Sequence, residues 1–246
     1  MSDLVDRVRY RLAFNAFALW KRNHEPELKL LPALCRRPGI AIDVGAHKGL
    51  YTYYLSRLCA SVYAFEPIPS LARRLRLGAG RRVRVEEVAL SRSRTKRTIK
   101  WPAGNFSWST IEPDNQLEFA ESAIHCAEVE TRALDDYGLT GATFLKIDVE
   151  GHECSVIEGA TRTLRESRPN LLVEVEERHK PGALDAVRER LAALDYLGFF
   201  LDGQRLRPMS ELVPDRDQPL ANVSRAGKSG RYINNFVFAP REHQVV

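Results

Sequence analysis

The sequence predicts an α/β protein built on a mostly parallel β-sheet with helices on both faces. From residue 39 onward, short apolar segments alternate with longer amphipathic segments, which is the chain order of strands and helices in a parallel sheet. The strand segments are continuously apolar, as strands covered on both faces are. The 246 residues, 44% of them hydrophobic, are enough for one domain with a full core.

Five segments form the predicted scaffold of the sheet, and two later segments extend it to seven strands. The five are residues 40–44, 61–65, 83–88, 142–147 and 171–175, and the two are 197–201 and 235–239. Helical periodicity covers residues 49–58, 70–77, 153–166 and 183–195, and each of these stretches ends at Gly, Pro or a polar turn.

The N-terminal part of the chain lies outside this alternation. Residues 1–38 are predicted to form a helical extension that precedes the main domain of residues 39–241. Apolar side chains recur with helical spacing in this extension, at Leu4, Val5, Val8, Leu12, Ala16 and Leu19. Packing of this helix on the domain is the favoured interpretation, and peripheral contact with a membrane surface is the alternative.

Charge is distributed unevenly along the chain. The net charge is +5, yet residues 73–100 alone contain eleven basic and two acidic residues. Residues 101–130, which separate the third and fourth strands, contain six acidic residues and neither Lys nor Arg. We expect this second stretch to form a lid over one edge of the sheet, because a long insertion in a compact domain is usually functional.

Several classes of protein are excluded by composition. No apolar run approaches the roughly 20 residues of a membrane-spanning helix, and the N-terminal residues lack the pattern of a secretory signal. We therefore expect a cytoplasmic protein. The four cysteines are far apart and contain no C-x-x-C pair, so the sequence indicates neither a zinc knuckle nor a disulfide framework.

The first predicted strand runs directly into a glycine turn and a helix. Asp43 ends the strand, and Gly45, Ala46 and Gly49 form the turn. Such a turn brings backbone N–H groups of the helix start close to a ligand. The spacing Gly-x-x-x-Gly differs from the G-x-G-x-x-G fingerprint of dinucleotide sites, which weakens the prediction of a pyrophosphate ligand.

An acidic residue ends the second predicted strand. Glu66 lies about twenty residues after the glycine turn, where a carboxylate can accept hydrogen bonds from both ribose hydroxyls of a nucleoside. This geometry serves NAD and S-adenosylmethionine equally well. Glu66 therefore predicts an adenosine ribose without selecting the cofactor.

Acidic residues and histidines follow the next two scaffold strands. Asp148, Glu150 and His152 come directly after the fourth strand, while the fifth contains Glu174 near its end and is followed by His179. Ligands of open α/β sheets bind beyond the carboxyl ends of the strands. If these two strands are neighbours, their ends form a pocket of carboxylates and imidazoles.

Four motifs of this sequence resemble those of the FkbM family of S-adenosylmethionine-dependent methyltransferases. They are residues 43–49 (Asp-Val-Gly-Ala-His-Lys-Gly), 65–67 (Phe-Glu-Pro), 146–153 (Lys-Ile-Asp-Val-Glu-Gly-His-Glu) and 235–238 (Asn-Phe-Val-Phe). The resemblance covers about residues 39–240. It implies a class I methyltransferase fold, which is Rossmann-like, with seven strands of which the last is antiparallel. It also implies O-methylation, often of a sugar or secondary-metabolite hydroxyl.

Under this resemblance each motif receives a role toward S-adenosylmethionine. Asp43 and the turn of Gly45, Ala46 and Gly49 would hold the methionine portion, and Glu66 the ribose. Ala89 would lie against the adenine and Asp148 near the methyl end, both by position and resemblance. A hydroxyl acceptor needs a base, for which His152 is the first candidate and Glu150, Glu174 and His179 are rivals.

Two further predictions concern metal and acceptor. A divalent metal bound by Asp148, Glu150, His152 and Glu174 is an alternative way to activate the acceptor. In the predicted lid, Asn105, Ser107 and Trp108 combine short polar groups with an aromatic ring, as suits a glycan or small aglycone.

Three other functions remain as alternatives. A nucleic-acid methyltransferase would use the basic residues 73–100, although no stacking platform adjoins them, and nucleic acid is not the expected partner. A nicotinamide-dependent oxidoreductase shares the first two motifs but lacks a suitable Ser/Tyr/Lys set. A non-catalytic module attached to membrane through the N-terminal helix is the third alternative. The sequence determines neither the acceptor nor the oligomeric state.

Overall fold

The computed structural model describes residues 2–35, 38–113, 115, 123–224, 227–228 and 230–243. Its strands are β1 (Ile40–Val44), β2 (Ser61–Phe65), β3 (Val83–Glu86), β4 (Ala89–Leu90), β5 (Thr95–Pro102), β6 (Ile124–Arg132), β7 (Ala142–Ile147), β8 (Asn170–Glu174), β9 (Tyr196–Asp202), β10 (Arg205–Pro208), β11 (Val223–Ser224), β12 (Gly227–Lys228) and β13 (Asn235–Pro240). Its helices are α1 (Ser2–Lys21), α2 (Leu31–Leu34), α3 (Leu50–Leu58), α4 (Pro69–Gly78), α5 (Glu153–Glu158), α6 (Thr161–Ser167), α7 (Ala183–Ala192) and α8 (Pro214–Asp217).

The main sheet has the strand order β10-β9-β13-β8-β7-β1-β2-β3. The five scaffold strands β3, β2, β1, β7 and β8 are mutually parallel, and β13 is antiparallel between β8 and β9. All seven predicted strands are present, and the last one runs antiparallel as expected. Because the scaffold strands are parallel, the residues that follow β1, β2, β7 and β8 meet at one edge.

The described sheet contains one strand more than the seven predicted. The eighth strand, β10, pairs antiparallel with β9, with Arg205 opposite Asp202. The connection contains Gly203 at φ 64°. The two loop residues are therefore Gly203 and Gln204, and a glycine at the first of two loop positions is a signal for a tight hairpin. This signal stands in the sequence at residues 203–204, but the prediction of seven strands did not include it.

Two predicted elements are divided in the structure, both around Ser91. The predicted helix 153–166 is two helices, α5 and α6, separated at Gly159. A Cβ on Gly159 would lie 2.0 Å from the carbonyl oxygen of Ser91, so the helix breaks where it meets this backbone. The predicted strand 83–88 ends at Glu86, and the chain then leaves the main sheet as β4.

The insertion between β3 and β7 begins earlier than the predicted lid of residues 101–130 and is built on a β-hairpin. Strand β5, most of which precedes residue 101, pairs antiparallel with β6, and β6 also pairs with β4 in a second sheet of order β4-β6-β5. Residues 114 and 116–122 of the predicted lid lie outside the described residues. Basic β5 faces acidic β6, and Lys96 Nζ lies 2.6 Å from Glu128 Oε1. The two oppositely charged stretches of the sequence are thus partly complementary strands of one hairpin.

Helix α1 of the N-terminal extension packs against α3 and α4. Its buried side chains include Phe14 and Ala18, and the Phe14 ring meets the Tyr53 ring edge-on at 5.6 Å. A Cβ on Gly49 would lie 2.4 Å from Phe14, so this glycine permits the close packing of α1. Within the described part of the chain, no helix combines the length and the apolar character needed to cross a bilayer.

Candidate active site

A cavity of about 490 Å³ opens at the carboxyl edge of the scaffold strands. It is lined by the turn after β1, the end of β2, strand β4, the loop of the β5–β6 hairpin, the ends of β7 and β8, and the last turn of α1. The predicted site residues on its wall are Asp43, Gly45, Ala46, Glu66, Ala89, Ser107, Trp108, Asp148, Glu150, His152 and Glu174. Gly49, Asn105 and His179 are not on the wall.

The turn after β1 is held tightly against the segment after β7. Gly45 has φ 78°, and its N–H donates to the carbonyl oxygen of Phe65 at 3.0 Å. A Cβ at this position would lie 1.9 Å from the carbonyl oxygen of Asp148. Only glycine therefore allows the first and fourth scaffold strands to end side by side.

Glu66 is buried at the end of β2 and faces the cavity. One of its carboxylate oxygens accepts the backbone N–H of His47 at 2.7 Å, and the other accepts that of Ile68 at 2.9 Å. Burial is the main cause that raises the pKa of Glu66 to about 7, while these two hydrogen bonds oppose the shift. The remaining lone pairs of this carboxylate are available to hydroxyl donors.

Asp43 lies deeper, with 2% of its surface exposed. The hydroxyl of Thr52, on α3, donates to its carboxylate. Burial raises the pKa of Asp43, whereas the Thr52 hydrogen bond and the charge of Lys146 lower it. Asp43 is thus both fixed in place by α3 and in electrostatic contact with the next scaffold strand.

Lys146 also lines the cavity, although no separate role was predicted for it. Only 1% of its side chain is exposed, and its Nζ donates to Asn235 Oδ1 at 3.2 Å. The same ammonium lies 3.9 Å from Asp148 Oδ2. A lysine inside an otherwise apolar strand is itself a signal, because fully buried lysines are almost always paired.

An apolar slot adjoins Glu66. Ile68, Ala89 and Ile99 belong to one buried cluster and all line the cavity. An apolar surface of this kind suits an aromatic ring such as a nucleobase. Ala89, predicted to contact adenine, is part of this slot.

The segment after β7 presents Glu150 in a strained conformation. Its φ is 50°, and two donors from the hairpin loop hold its carbonyl oxygen, Thr110 Oγ1 at 2.9 Å and Asn115 Nδ2 at 3.2 Å. His179 Nδ1 lies 2.8 Å from its carboxylate. His47, with φ 49°, is the other non-glycine wall residue in this unfavourable region. Such strain concentrates at functional sites.

His152 is buried and engaged at both ring nitrogens. Its Nδ1 is hydrogen-bonded to the carboxylate of Glu112, and its Nε2 lies 3.0 Å from Ser91 Oγ. Glu112 comes from the hairpin loop, whereas Ser91 follows β4. The ring therefore connects three segments of the wall, and we refer to Glu112, His152 and Ser91 as the tether.

The four residues predicted as metal ligands are not gathered into one group. Among the described residues, the group with a suitable spacing is Glu150, Glu176 and His179, whose ligand atoms lie within 4.8 Å of one another. Glu176 accepts hydrogen bonds from Arg178 Nε and, at 2.8 Å, from the Tyr232 hydroxyl. The carboxylates of this group are therefore already engaged by cationic and hydroxyl partners. The structure does not support the metal set Asp148, Glu150, His152 and Glu174.

The hairpin loop places only two of the three predicted acceptor residues on the cavity wall. Ser107 and Trp108 form part of a short 3₁₀ turn on the cavity wall. Asn105 instead caps this turn, because its Oδ1 accepts the backbone N–H of Ser107 at 3.0 Å. Across the cavity, Phe17 and Trp20 of α1 also line the wall. No motif in the sequence indicated that the N-terminal extension reaches the site.

The cavity fits an adenosine that carries an amino acid. Two wall atoms, His47 Nε2 and Tyr51 Oη, are buried and have no hydrogen-bond partner among the described residues, as expected where a polar ligand binds. The Glu66 carboxylate and the adjacent apolar slot lie on the same wall. The roles that the family resemblance assigns to these residues toward ribose and base stay predictions.

The strand order and the cavity at the carboxyl edge define a class I methyltransferase fold. The family described as "Methyltransferase FkbM domain" matches residues 43–200, and the chain belongs to this family. The matched region contains the three motifs at the ends of β1, β2 and β7.

Two similar proteins extend this comparison. The chain is 31% identical over 147 residues to the 2-O-methyltransferase NoeI of Sinorhizobium fredii (strain NBRC 101917 / NGR234), which covers 52% of this chain and 60% of the relative. The crystal structure of methyltransferase FkbM from Methylobacillus flagellatus KT matches with a TM-score of 0.50 and 18% identity, covering 82% of this chain and 43% of that one. The alignments thus span less than two thirds of each relative.

Proposed function

We propose that the protein is an S-adenosylmethionine-dependent O-methyltransferase that acts on a hydroxyl of a sugar, glycan or secondary metabolite. The observation that carries this proposal is the cavity itself, in which a nucleoside-type wall around Glu66 faces a carboxylate, Glu150, that His179 holds. Family membership supports methyl transfer. The name of NoeI, a 2-O-methyltransferase, supports oxygen as the acceptor atom.

The first task of the chain is to bind and orient the cofactor, which supplies a methyl group on a positively charged sulfur. Glu66 accepts hydrogen bonds from the ribose hydroxyls, and the slot beside Ala89 takes the adenine. The turn at Gly45 and Ala46, with Asp43 beneath it, holds the methionine portion. Asp148 contributes negative charge at the methyl end, where it favours a cationic ligand.

The second task is to remove a proton from the acceptor hydroxyl. Glu150 is the group we assign to this step, because it lines the wall and both ring nitrogens of the alternative, His152, are engaged. Its carboxylate would accept the hydroxyl proton, while the bound cofactor would supply the methyl group to the acceptor oxygen. His179 is a positioning residue that fixes the carboxylate.

The third task is to recognise the acceptor. Trp108 and Ser107 on the hairpin side, and Glu174 at the end of β8, line the part of the wall left to it. Asn234 Nδ2 donates to Glu174 and fixes its carboxylate. Rings, hydroxyls and carboxylates in this combination suit a polyhydroxylated molecule, since each acceptor hydroxyl can find a partner.

The nucleic-acid alternative is disfavoured by the pairing of the basic residues. Within residues 73–100, Arg76 Nη1 lies 2.7 Å from Glu87 Oε2 and Arg84 Nε lies 2.5 Å from Glu86 Oε1. On the hairpin, Arg94 and Lys96 face Glu130 and Glu128. Much of the local positive charge is therefore compensated, and binding of a polyanion would have to displace these acids.

A thermal-shift measurement tests the proposed cofactor. At a concentration one hundred times its dissociation constant, a ligand of the folded state stabilises by about 2.7 kcal/mol, which corresponds to a rise in Tm of roughly 5–10 °C for a chain of this size. We expect this rise with S-adenosylmethionine and S-adenosylhomocysteine and none with NAD. Stabilisation by NAD alone would overturn the proposal.

A variant and a screen complete the test. Glu66→Ala is expected to abolish the shift, whereas Glu87→Ala, at an exposed salt bridge outside the cavity, leaves it unchanged. A methyl-transfer screen over nucleotide sugars, lipid-linked glycans and small aglycones then identifies the acceptor.

A further inference from the structure

Helix α1 has an apolar face on each side. One side, which includes Phe14 and Ala18, is buried on α3 and α4. The opposite side is formed by Val5, Val8, Leu12 and Leu19, each between 53% and 65% exposed. At 3.6 residues per turn these four residues fall within an arc of about 60°. We call them the apolar stripe.

An exposed apolar stripe is unusual on a folded domain. Single exposed apolar residues need no explanation, but a contiguous row of large ones indicates a surface that binds something. Trp20, 65% exposed, lies beyond the margin of the stripe at the C-terminal end of the helix. The question is which partner the stripe fits.

The charged residues beside the stripe indicate the chemistry of its partner. Arg9 lies beside Val5 on the helical wheel, and Arg11 lies at the other margin beside Val8. Both arginines are exposed. On the neighbouring helix α4, Arg73 lies 3.9 Å from Asp6 of α1 and Arg74 lies over the Tyr10 ring, on the flank of α1 away from the stripe, so the arginines at its margins are Arg9 and Arg11. A helix with an apolar stripe and arginines at its margins matches an anionic lipid surface.

We propose that α1 docks the protein on an anionic membrane surface, with the apolar stripe inserted at the level of the headgroups. The same helix also reaches the active-site cavity, since Trp20 and Lys21 line it. The proposal concerns α1 alone and does not depend on the methyl-transfer activity.

Co-sedimentation with vesicles of stated composition tests the docking. We expect the full chain to bind vesicles of equal parts phosphatidylcholine and phosphatidylglycerol, and to bind phosphatidylcholine vesicles much more weakly. Binding should weaken as salt is raised, because the arginine contribution is screened. Trp20 fluorescence should shift to shorter wavelength on binding, and Trp20→Phe should remove most of this shift.

Surface variants distinguish vesicle binding through the apolar stripe from nonspecific binding. Leu12→Glu should weaken vesicle binding at least about tenfold, and Arg9→Gln about fivefold, the effect of one charge near an anionic surface. Leu220→Glu is the matched control, since Leu220 is 61% exposed but lies near the C-terminus, and it should bind like the unaltered chain. All three positions are exposed, so the variants should unfold at unchanged temperature.

Two results would overturn the proposal. One is equal binding of the unaltered chain and of Leu12→Glu to anionic vesicles. The other is the absence of vesicle binding, together with a self-associated chain in light scattering that Leu12→Glu converts to a monomer. The second result would show that the stripe is covered by another copy of this chain. Neither result bears on cofactor binding in the thermal-shift test.

Discussion

Gly45 and the carbonyl oxygen of Asp148 approach so closely that no side chain fits between them. A Cβ on Gly45 would lie 1.9 Å from this oxygen, well inside the distance of any normal contact. The two residues directly follow neighbouring strands, β1 and β7, so their contact sets how far apart the turn after β1 and the segment after β7 lie. Glycine at this position is therefore a condition for this arrangement of the cavity wall.

Replacing Gly45 with Ala is expected to damage both stability and cofactor binding. The positive φ alone costs about 1–2 kcal/mol for a residue with a Cβ, and the clash with backbone adds about 1–3 kcal/mol. Gly141→Ala is the matched control, because Gly141 has φ 76° and nothing within 4 Å of its Cβ position. Denaturant unfolding should show only the first cost for Gly141→Ala, with normal binding of S-adenosylhomocysteine.

Glu66 is expected to make cofactor affinity depend on pH. Burial raises the pKa of its carboxyl to about 7, and ribose hydroxyls donate to the ionised form. Below pH 7 the carboxyl is protonated in the free protein, so binding must first remove a proton. The dissociation constant of S-adenosylhomocysteine should therefore rise by up to about tenfold for each pH unit below 7.

The variant Glu66→Gln isolates this effect. Glutamine cannot ionise, so the affinity of this variant should be weaker at neutral pH and flat between pH 5.5 and 7.5, as measured by calorimetry. A pH dependence that survives in Glu66→Gln would show that another group, or the ligand itself, is responsible.

The strands and the carboxylates at their ends could be predicted from sequence, because parallel strands leave a strong local signal and end at one edge. The roles within residues 148–152 could not. Glu150 and His152 are two positions apart, and their surroundings are decided by φ 50° at Glu150 and by partners distant in sequence, Glu112 and His179. Contacts of this kind leave no local pattern.

For the charged segments the sequence showed the residues but not their pairing. The basic and acidic stretches were visible in the sequence, but their meaning depended on the β5–β6 hairpin that brings Lys96 to Glu128. A separation of 32 residues hides this pairing from any local analysis. The participation of Trp20 in the cavity wall was hidden in the same way, because it depends on the packing of α1 against α3 and α4.

The tether predicts that His152 stabilises the fold and is not the base. His152→Ala would leave buried Ser91 and partly buried Glu112 without their hydrogen bonds to the ring, at a cost of about 3 kcal/mol in the free energy of unfolding. His125→Ala, on the exposed surface of the β5–β6 hairpin where His125 stacks on Trp101, is the control and should cost about 1 kcal/mol or less.

Two further measurements separate this structural role from catalysis. At a temperature where the His152→Ala variant is folded, kcat should fall less than about tenfold, below the usual effect of removing a general base. The hydrogen bond to His152 lowers the pKa of Glu112. The tether therefore contributes its full share to the free energy of unfolding above the ordinary pKa of a glutamate. This contribution is lost as the pH falls through the lowered pKa of Glu112. That acid-dependent loss of stability should be absent in His152→Ala.

Methyl transfer is expected to continue in excess chelator. The carboxylates of Glu150 and Glu176 are already held by His179 and Arg178, and a cation would have to displace these partners. The measurement is the initial rate after dialysis against EDTA, with and without added Mg²⁺, Mn²⁺ or Ca²⁺. Loss of activity that one of these ions restores would establish the metal-assisted alternative.

Glu150 is expected to carry the proton transfer. Glu150→Gln preserves the size of the side chain but removes its ability to accept a proton, so kcat should fall by about 10²–10⁴. Binding of S-adenosylhomocysteine should change less than about twofold. Glu174→Gln is the matched control from the same cavity, and it should raise the acceptor KM with little effect on kcat.

The pH profile of kcat tests the role of His179. Burial lowers the pKa of His179, but the charge of Glu150 and the hydrogen bond to it outweigh burial and raise the pKa overall. Protonated His179 holds Glu150 as an ion pair, so the acceptor hydroxyl must compete with the imidazolium for the carboxylate, and kcat should rise as the pH passes the raised pKa. His179→Asn should remove this limb and reduce kcat by about tenfold, less than Glu150→Gln does. An unchanged profile would show that His179 supports the fold without positioning the base.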